Sequence, residues 1–176
     1  MLEELYLVRH AAPDRTTGVP YHTMPGPPLT AIGQQEAVQT AYWLGGRGIE
    51  RLLASPFDRT RSTAEPIAAQ LGLEITFTEA LREGAPGESL EQIRTRMAEL
   101  LAQLDDSPLR IAALVSHGAP IQMLLRHTTG ERIDLKPHAY DNGNCAPTAG
   151  VWHGRRGDNC WVWELAFRPS AEVVQL

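Results

Sequence analysis

The sequence predicts a three-layer α/β/α sandwich with a largely parallel central sheet, and three observations carry that expectation. Short continuous apolar runs stop abruptly at polar residues, as at Leu5 to Val8 and Ile111 to Val115. Amphipathic stretches of helical period lie between such runs. Runs and stretches alternate along the chain, the order that parallel strands joined by crossover helices require.

Leu5-Tyr6-Leu7-Val8 reads as a buried strand that delivers Arg9 and His10 at its C-terminal end. The long loop behind it holds Pro13, Gly18, Pro20, Pro25, Gly26, Pro27 and Pro28, which remove backbone donors and force turns. Thr30 then caps a helix with Ala37, Val38, Ala41 and Leu44 on one side, ending at the glycines 45, 46 and 48. Arg51 to Ala54 is a second strand. A helix starting just after Ser55-Pro56 places Ala64, Ile67, Ala68 and Leu71 at i, i+3, i+4 and i+7 spacing and stops at Gly72.

Leu73 to Phe77 follows as a strand, and Ser89 with Gln92 forms a capping box ahead of Leu90, Ile93, Met97, Leu100, Leu101 and Leu104. The strand Ile111 to Val115 ends at Ser116-His117-Gly118, before a helical stretch around Ile121 to Arg126. Trp161, Trp163, Leu165 and Phe167 alternate with Val162, Glu164 and Ala166 behind a turn around Gly154 to Asn159, the pattern of a hairpin completing the sheet. With no internal repeat or low-complexity segment, a single domain over residues 1–176 is expected, large enough to bury roughly 70% of the unfolded chain's surface.

The balance of 43% apolar and 21% charged residues is that of a globular protein. A net charge of -5 without a Lys/Arg-rich run gives no general attraction to nucleic acid or to an anionic membrane, so neither is expected as a partner. The first apolar run is much too short for a signal-peptide core or a membrane span, and a cytoplasmic location is the expectation. Cys145 and Cys160 read as reduced thiols. A zinc site drawn from Cys145, His153, Cys160 and His138 matches no ligand spacing, so no metal is expected. Composition fixes no oligomeric state; the tryptophan-rich hairpin reads as core packing before interface.

In such a sheet the ligand crevice lies beyond the carboxyl ends of the strands, where both His10 and His117 fall. Phosphoryl transfer from a monoester needs a nucleophile, stabilisation for three equatorial oxygens and a proton for the leaving alcohol. A neutral His10 can attack phosphorus, and Arg9 beside it can hold phosphate oxygens bidentately. Arg59 stands at a helix start, where free N–H groups and the dipole already favour an anion, and His117-Gly118 repeats the arrangement at the second strand-to-helix junction.

These residues resemble the histidine phosphatase superfamily, the phosphoglycerate mutase-like branch 1. The matching segments are Leu7-Val8-Arg9-His10, Leu29-Thr30 with Gly33 and Ala37, Ser55-Pro56 with Arg59, Thr63 and Ala64, Leu81-Arg82-Glu83, Gly87-Glu88-Ser89-Leu90 and Val115-Ser116-His117-Gly118. They occur in the family's order over roughly two-thirds of the chain, a far more specific signal than a lone Arg-His. The resemblance implies a phosphoglycerate mutase-like fold and a phosphatase acting on a small phosphorylated substrate without metal or organic cofactor. His10 would be the phosphorylated nucleophile, Arg9, Arg59 and His117 the phosphate ligands, and Glu83 the proton donor to the leaving oxygen. Gly118 joins the phosphate-binding set, and Thr16 falls where relatives often place a polar phosphate contact.

Glu88 and Asp14 are the nearest competing carboxylates, and Glu88 reads better as charge at a helix N-terminus beside Ser89. One departure stands out: Ala11 occupies the place where the family usually has glycine, which matters if the backbone there needs glycine geometry. Three other readings are a phosphoglycerate mutase, for which the chain lacks room for closing insertions, a phosphohistidine protein phosphatase, and a phosphate-binding module without turnover. Specificity is expected from the loops Arg15 to Pro28, Glu83 to Gly87 and Lys136 to Ala146, with Tyr21, His22, His138 and Tyr140 as candidate lining residues.

Overall fold

The structure, a computed structural model, describes residues 1–158 and 160–170. Among the described residues six strands form one sheet: β1 (Glu4–Arg9), β2 (Arg51–Ala54), β3 (Ile75–Phe77), β4 (Ile111–Ser116), β5 (Val151–Arg156) and β6 (Trp161–Phe167), in the order β3-β2-β4-β1-β5-β6. The pairings among β3, β2, β4 and β1 are parallel, and those of β1 with β5 and β5 with β6 antiparallel. The expected sandwich is therefore present, with a mixed sheet whose antiparallel part is the C-terminal hairpin.

Four helices cover the two faces: α1 (Ala31–Leu44) and α2 (Asp58–Leu71) on one, α3 (Leu90–Asp105) and α4 (Gly118–Thr129) on the other. The alternation of side chains along β1 divides its residues between the two cores. Leu5 and Leu7 pack with Ile93, Met97, Leu100, Ile121 and Leu125, whereas Tyr6 and Val8 pack with Ala41, Leu44, Ala64 and Ile67. Being buried on both faces is what makes β1 and β4 read as unbroken apolar runs.

Local signals account for the helix ends. The Thr30 side chain accepts from Gly33 N, Ser89 and Gln92 form the reciprocal capping box, and Gly72 closes α2 in the left-handed region at φ 65°. Some boundaries differ from the sequence reading. β3 is three residues long, because Leu73 still completes the end of α2 by donating to Ala68 O. α4 begins at Gly118 and runs to Thr129, beyond the Ile121 to Arg126 stretch. Gly154 lies inside β5 under the ring of Trp163, and the turn sits at Gly157 to Cys160; Asn159 and the tail 171–176 lie outside the described residues.

Among the described residues, no helix is long and apolar enough to cross a membrane. Cys145 is buried and Cys160 half-buried, both as free thiols. His153 pairs with Glu4 at 2.7 Å and His138 packs edge-on to Trp152.

Candidate active site

Sheet register builds the centre of the site. Arg9 of β1 lies opposite Ser116 of β4, and His10 N donates to Ser116 O at 2.9 Å, so the next residues along, His10 and His117, leave the sheet side by side. Their ring centroids are 5.2 Å apart. Ser55, just past β2, donates its N–H to Val115 O at 3.0 Å and stands on the other side of His117. Arg59, in the first turn of α2, reaches in from above Phe57, with its Nη2 3.0 Å from His117 Nδ1.

The partners fix both tautomers. Ala11 O can only accept, so His10 Nδ1 at 2.8 Å carries the proton and Nε2 keeps its lone pair. The Tyr21 hydroxyl then donates to that lone pair at 3.2 Å. Arg59 can only donate, so His117 Nδ1 accepts from it and Nε2–H donates to Ser55 Oγ at 2.8 Å. Burial, reinforced by Arg59 and then Arg9, pushes His10 well below its ordinary pKa. His117 is pushed the same way by burial, then by His10 and the two arginines. Both rings are neutral at neutral pH, the state a nitrogen nucleophile requires.

Arg9 is held by a residue absent from the predicted site. Asp141 receives its fork bidentately, Nη1 to Oδ1 at 2.5 Å and Nη2 to Oδ2 at 2.8 Å, while Nη1 also donates to Ala146 O at 2.8 Å. The guanidinium in turn holds the Asp141 carboxyl below its usual range. The terminal nitrogens of Arg59 are likewise engaged, by Tyr21 O and His117. The Nε–H of each arginine is buried and without a hydrogen-bond partner among the described residues. Buried polar groups are as a rule hydrogen-bonded, so two unpartnered cationic donors beside two neutral imidazoles are an exception that calls for a physical reason.

Gly118 serves the same site by closeness. A Cβ there would stand 1.6 Å from Asn144 Oδ1, so glycine leaves the room that the Asn144 side chain of the Asp141 loop takes up against the start of α4. Asn144 in turn donates to Asp141 O at 2.7 Å.

The remaining predicted residues fall in different places. Glu83 is half-buried, accepts from Gly84 N at 2.9 Å and acts electrostatically on Arg59. Its loop is stapled by Glu88, which receives Arg82 Nη1 at 3.1 Å, Arg96 Nε at 2.8 Å and Ala85 N at 3.0 Å. Those two arginines, with their hydrogen bonds, hold the Glu88 carboxyl low and leave it as a structural anion. Thr16 is exposed, with its hydroxyl and N–H both bonded to Asp14 Oδ1 at 2.6 and 2.9 Å, away from the buried cluster.

Tyr21 is the loop residue that does reach the centre, and His22 packs edge-on against it at 5.1 Å. Ala11 lies outside the left-handed region, since the non-glycine residues with positive φ are Glu131, Asn142 and Ala149. Its methyl is fully buried with Leu29, Ala37 and Ala149, and its N–H donates to Thr63 Oγ1 at 2.9 Å. Alanine therefore fits here without strain.

Asp141 was missed because its partner lies 132 residues away in the chain. The available signal was the turn sequence Asp141-Asn142-Gly143 within a loop already expected to shape specificity.

The family model of the histidine phosphatase superfamily (branch 1) matches residues 5–87 and 83–163. An uncharacterized protein of Mycobacterium tuberculosis (strain ATCC 25618 / H37Rv) is 28% identical over 186 residues, covering 87% of this chain and 92% of that protein. A probable phosphoglycerate mutase of Salmonella arizonae is 38% identical over 80 residues, which are 46% of this chain and 37% of the mutase. Among solved structures, a mycobacterial glucosyl-3-phosphoglycerate phosphatase in complex with VO3 matches with a TM-score of 0.78 at 20% identity, over 93% of this chain and 98% of that one. At that identity the likeness is one of fold.

Proposed function

The chain belongs to the histidine phosphatase superfamily, branch 1, and from that premise we propose that it is a phosphoric monoester hydrolase using a phosphohistidine on His10 to act on a small metabolite. The observation that carries this reading is the buried cluster of Arg9, His10, Arg59 and His117 with both arginine Nε–H groups unpartnered. In the reaction, the Nε2 lone pair of His10 attacks phosphorus, the bond to the ester oxygen breaks, and Glu83 gives that oxygen its proton as the alcohol leaves. Water then attacks the phosphohistidine, the Glu83 carboxylate accepts its proton, and the P–N bond breaks to return the electron pair to Nε2 and release inorganic phosphate.

The two guanidinium groups and His117 stabilise the three equatorial oxygens from fixed positions, so the proposed steps call on no metal ion. Phosphate binding takes up the free Nε–H groups, and His117, whose Nδ1 accepts from Arg59 in the free protein, serves the phosphoryl oxygens as a donor once that nitrogen takes up a proton, which the charge of the dianion favours.

The test is turnover of an aryl phosphate together with acid-labile trapping of a phosphorylated histidine. His10→Ala is expected to lower kcat by about a thousandfold or more and to abolish the trapped species. Unchanged turnover in that variant would refute the nucleophile. Isomerisation of a phosphoglycerate without net release of phosphate would replace the hydrolase with the mutase reading, which the partial match to a probable phosphoglycerate mutase keeps in view.

A further inference from the structure

The four central side chains are 0–1% exposed, so neither solvent nor a substrate reaches His10 in this conformation. Tyr21 is what stands in the way. Its hydroxyl oxygen lies 3.2 Å from His10 Nε2, the separation of roughly 3 to 3.5 Å at which an attacked phosphorus atom would stand. Its carbonyl takes the Nη1 of Arg59 at 3.1 Å, and its ring carries the Arg59 and Arg15 guanidinium groups, each 4.2 Å from the centroid. One residue thus engages both the nucleophile and a phosphate-binding arginine.

The loop bearing Tyr21 has little else to hold it. Its base is pinned by Asp14 N to Pro28 O at 2.7 Å and Asp58 N to Pro25 O at 2.9 Å. Between those anchors, residues 15–24 make no backbone-to-backbone hydrogen bond among the described residues, and Thr16, Thr17 and Val19 bond only within the loop.

We propose that Tyr21 is a specificity-determining residue: it keeps His10 from water and from neutral electrophiles and gives way to an anion that offers Arg59 and Arg9 a stronger partner. The inference rests on reading His10 as the nucleophile. A phosphoryl dianion satisfies the unpartnered Nε–H groups, which Tyr21 leaves empty, and so displaces the hydroxyl while forming charge-assisted bonds in its place. A neutral ligand gains nothing from the arginines and meets the closed loop.

Diethylpyrocarbonate, a small neutral reagent that acylates free imidazole nitrogen, tests this without requiring turnover. Site-resolved labelling by mass spectrometry is measured in the wild type, Tyr21→Phe and Tyr21→Ala, with the exposed His127 as internal reference. Tyr21→Phe keeps the ring and is expected to speed His10 labelling about two- to tenfold, the worth of one hydrogen bond between neutral groups. Tyr21→Ala is expected to bring His10 within about tenfold of His127, and orthovanadate is expected to bind Tyr21→Phe about two- to tenfold more tightly than the wild type.

Equal His10 labelling in all three proteins, with circular dichroism showing each folded, would overturn the proposal. An inactive protein whose His10 is unmasked by Tyr21→Ala sinks the hydrolase and keeps the barrier. An active one with equal labelling does the reverse.

Discussion

Arg9, His10, Ser55 and His117 stand at or just past the ends of paired strands, placed by register and by backbone bonds such as His10 N to Ser116 O and Ser55 N to Val115 O. Tyr21, Glu83 and Asp141 approach the same centre from loops, and each loop is fastened differently. The Glu83 loop is stapled by the half-buried Arg82, Glu88 and Arg96 network, the Asp141 turn by the Arg9 ion pair and Asn144, and the Tyr21 segment by Tyr21 itself. The strand-end frame is thus fixed before a ligand arrives, as electrostatic stabilisation of a transition state requires. The Tyr21 segment is the part of the shell tied to His10 and Arg59 themselves, and on the proposal above it is the part that a ligand displaces.

The largest expected effect outside His10 itself lies at Arg59, which joins this frame from the first turn of α2. Arg59→Lys removes the fork and the free Nε–H while keeping a charge, and should lower kcat/KM by about a hundredfold. A loss below about threefold in an aryl phosphate assay would mean that point charge, and not geometry, is what the frame supplies.

Acid separates frame from shell by pH window. Because the folded pKa values of His10 and His117 lie below the ordinary 6.5, the unfolded chain binds more protons as pH falls past that value, and stability drops toward the lower folded values. The slope is about 1.4 kcal/mol per pH unit for each histidine that behaves this way. Asp141, lowered from 3.8 by Arg9, acts only below that value, where its protonation loosens the loop. Chemical denaturation between pH 7 and 4 should therefore show a decline that His10→Asn makes shallower. A flat profile for the wild type would show that the two rings are not held neutral.

The smallest effect belongs at Ala11. Ala11→Gly deletes a buried methyl and adds backbone freedom to the unfolded chain, which should cost about 1 kcal/mol in urea unfolding without raising turnover. Faster turnover in the glycine variant would show that the alanine methyl crowds the nucleophile after all.

Much of the frame was legible before any coordinates. Strands buried on both faces must be apolar throughout, so the sites where Val8 gives way to Arg9 and His10, and Ser116 to His117, announced themselves as strand ends at the ligand edge. Thr30, Ser89 and Gly72 named their helix ends because capping is a bond between near neighbours. Thr16 illustrates the opposite case. Its place in the chain suggested a phosphate contact, but its nearest strong acceptor was Asp14, two residues away, and in an exposed turn that local bond prevails.

By itself, then, the sequence determined the alternating sandwich and the placing of Arg9, His10 and His117 at strand ends with Arg59 at a helix start, because periodicity and capping record burial and bonding within a few residues. Tertiary structure alone decided that Ala11 fits without strain, that Asp141 clasps Arg9 and that Tyr21 covers His10. Those outcomes depend on where loops close in space, and a loop's path is set by partners far along the chain that leave no period in its own residues.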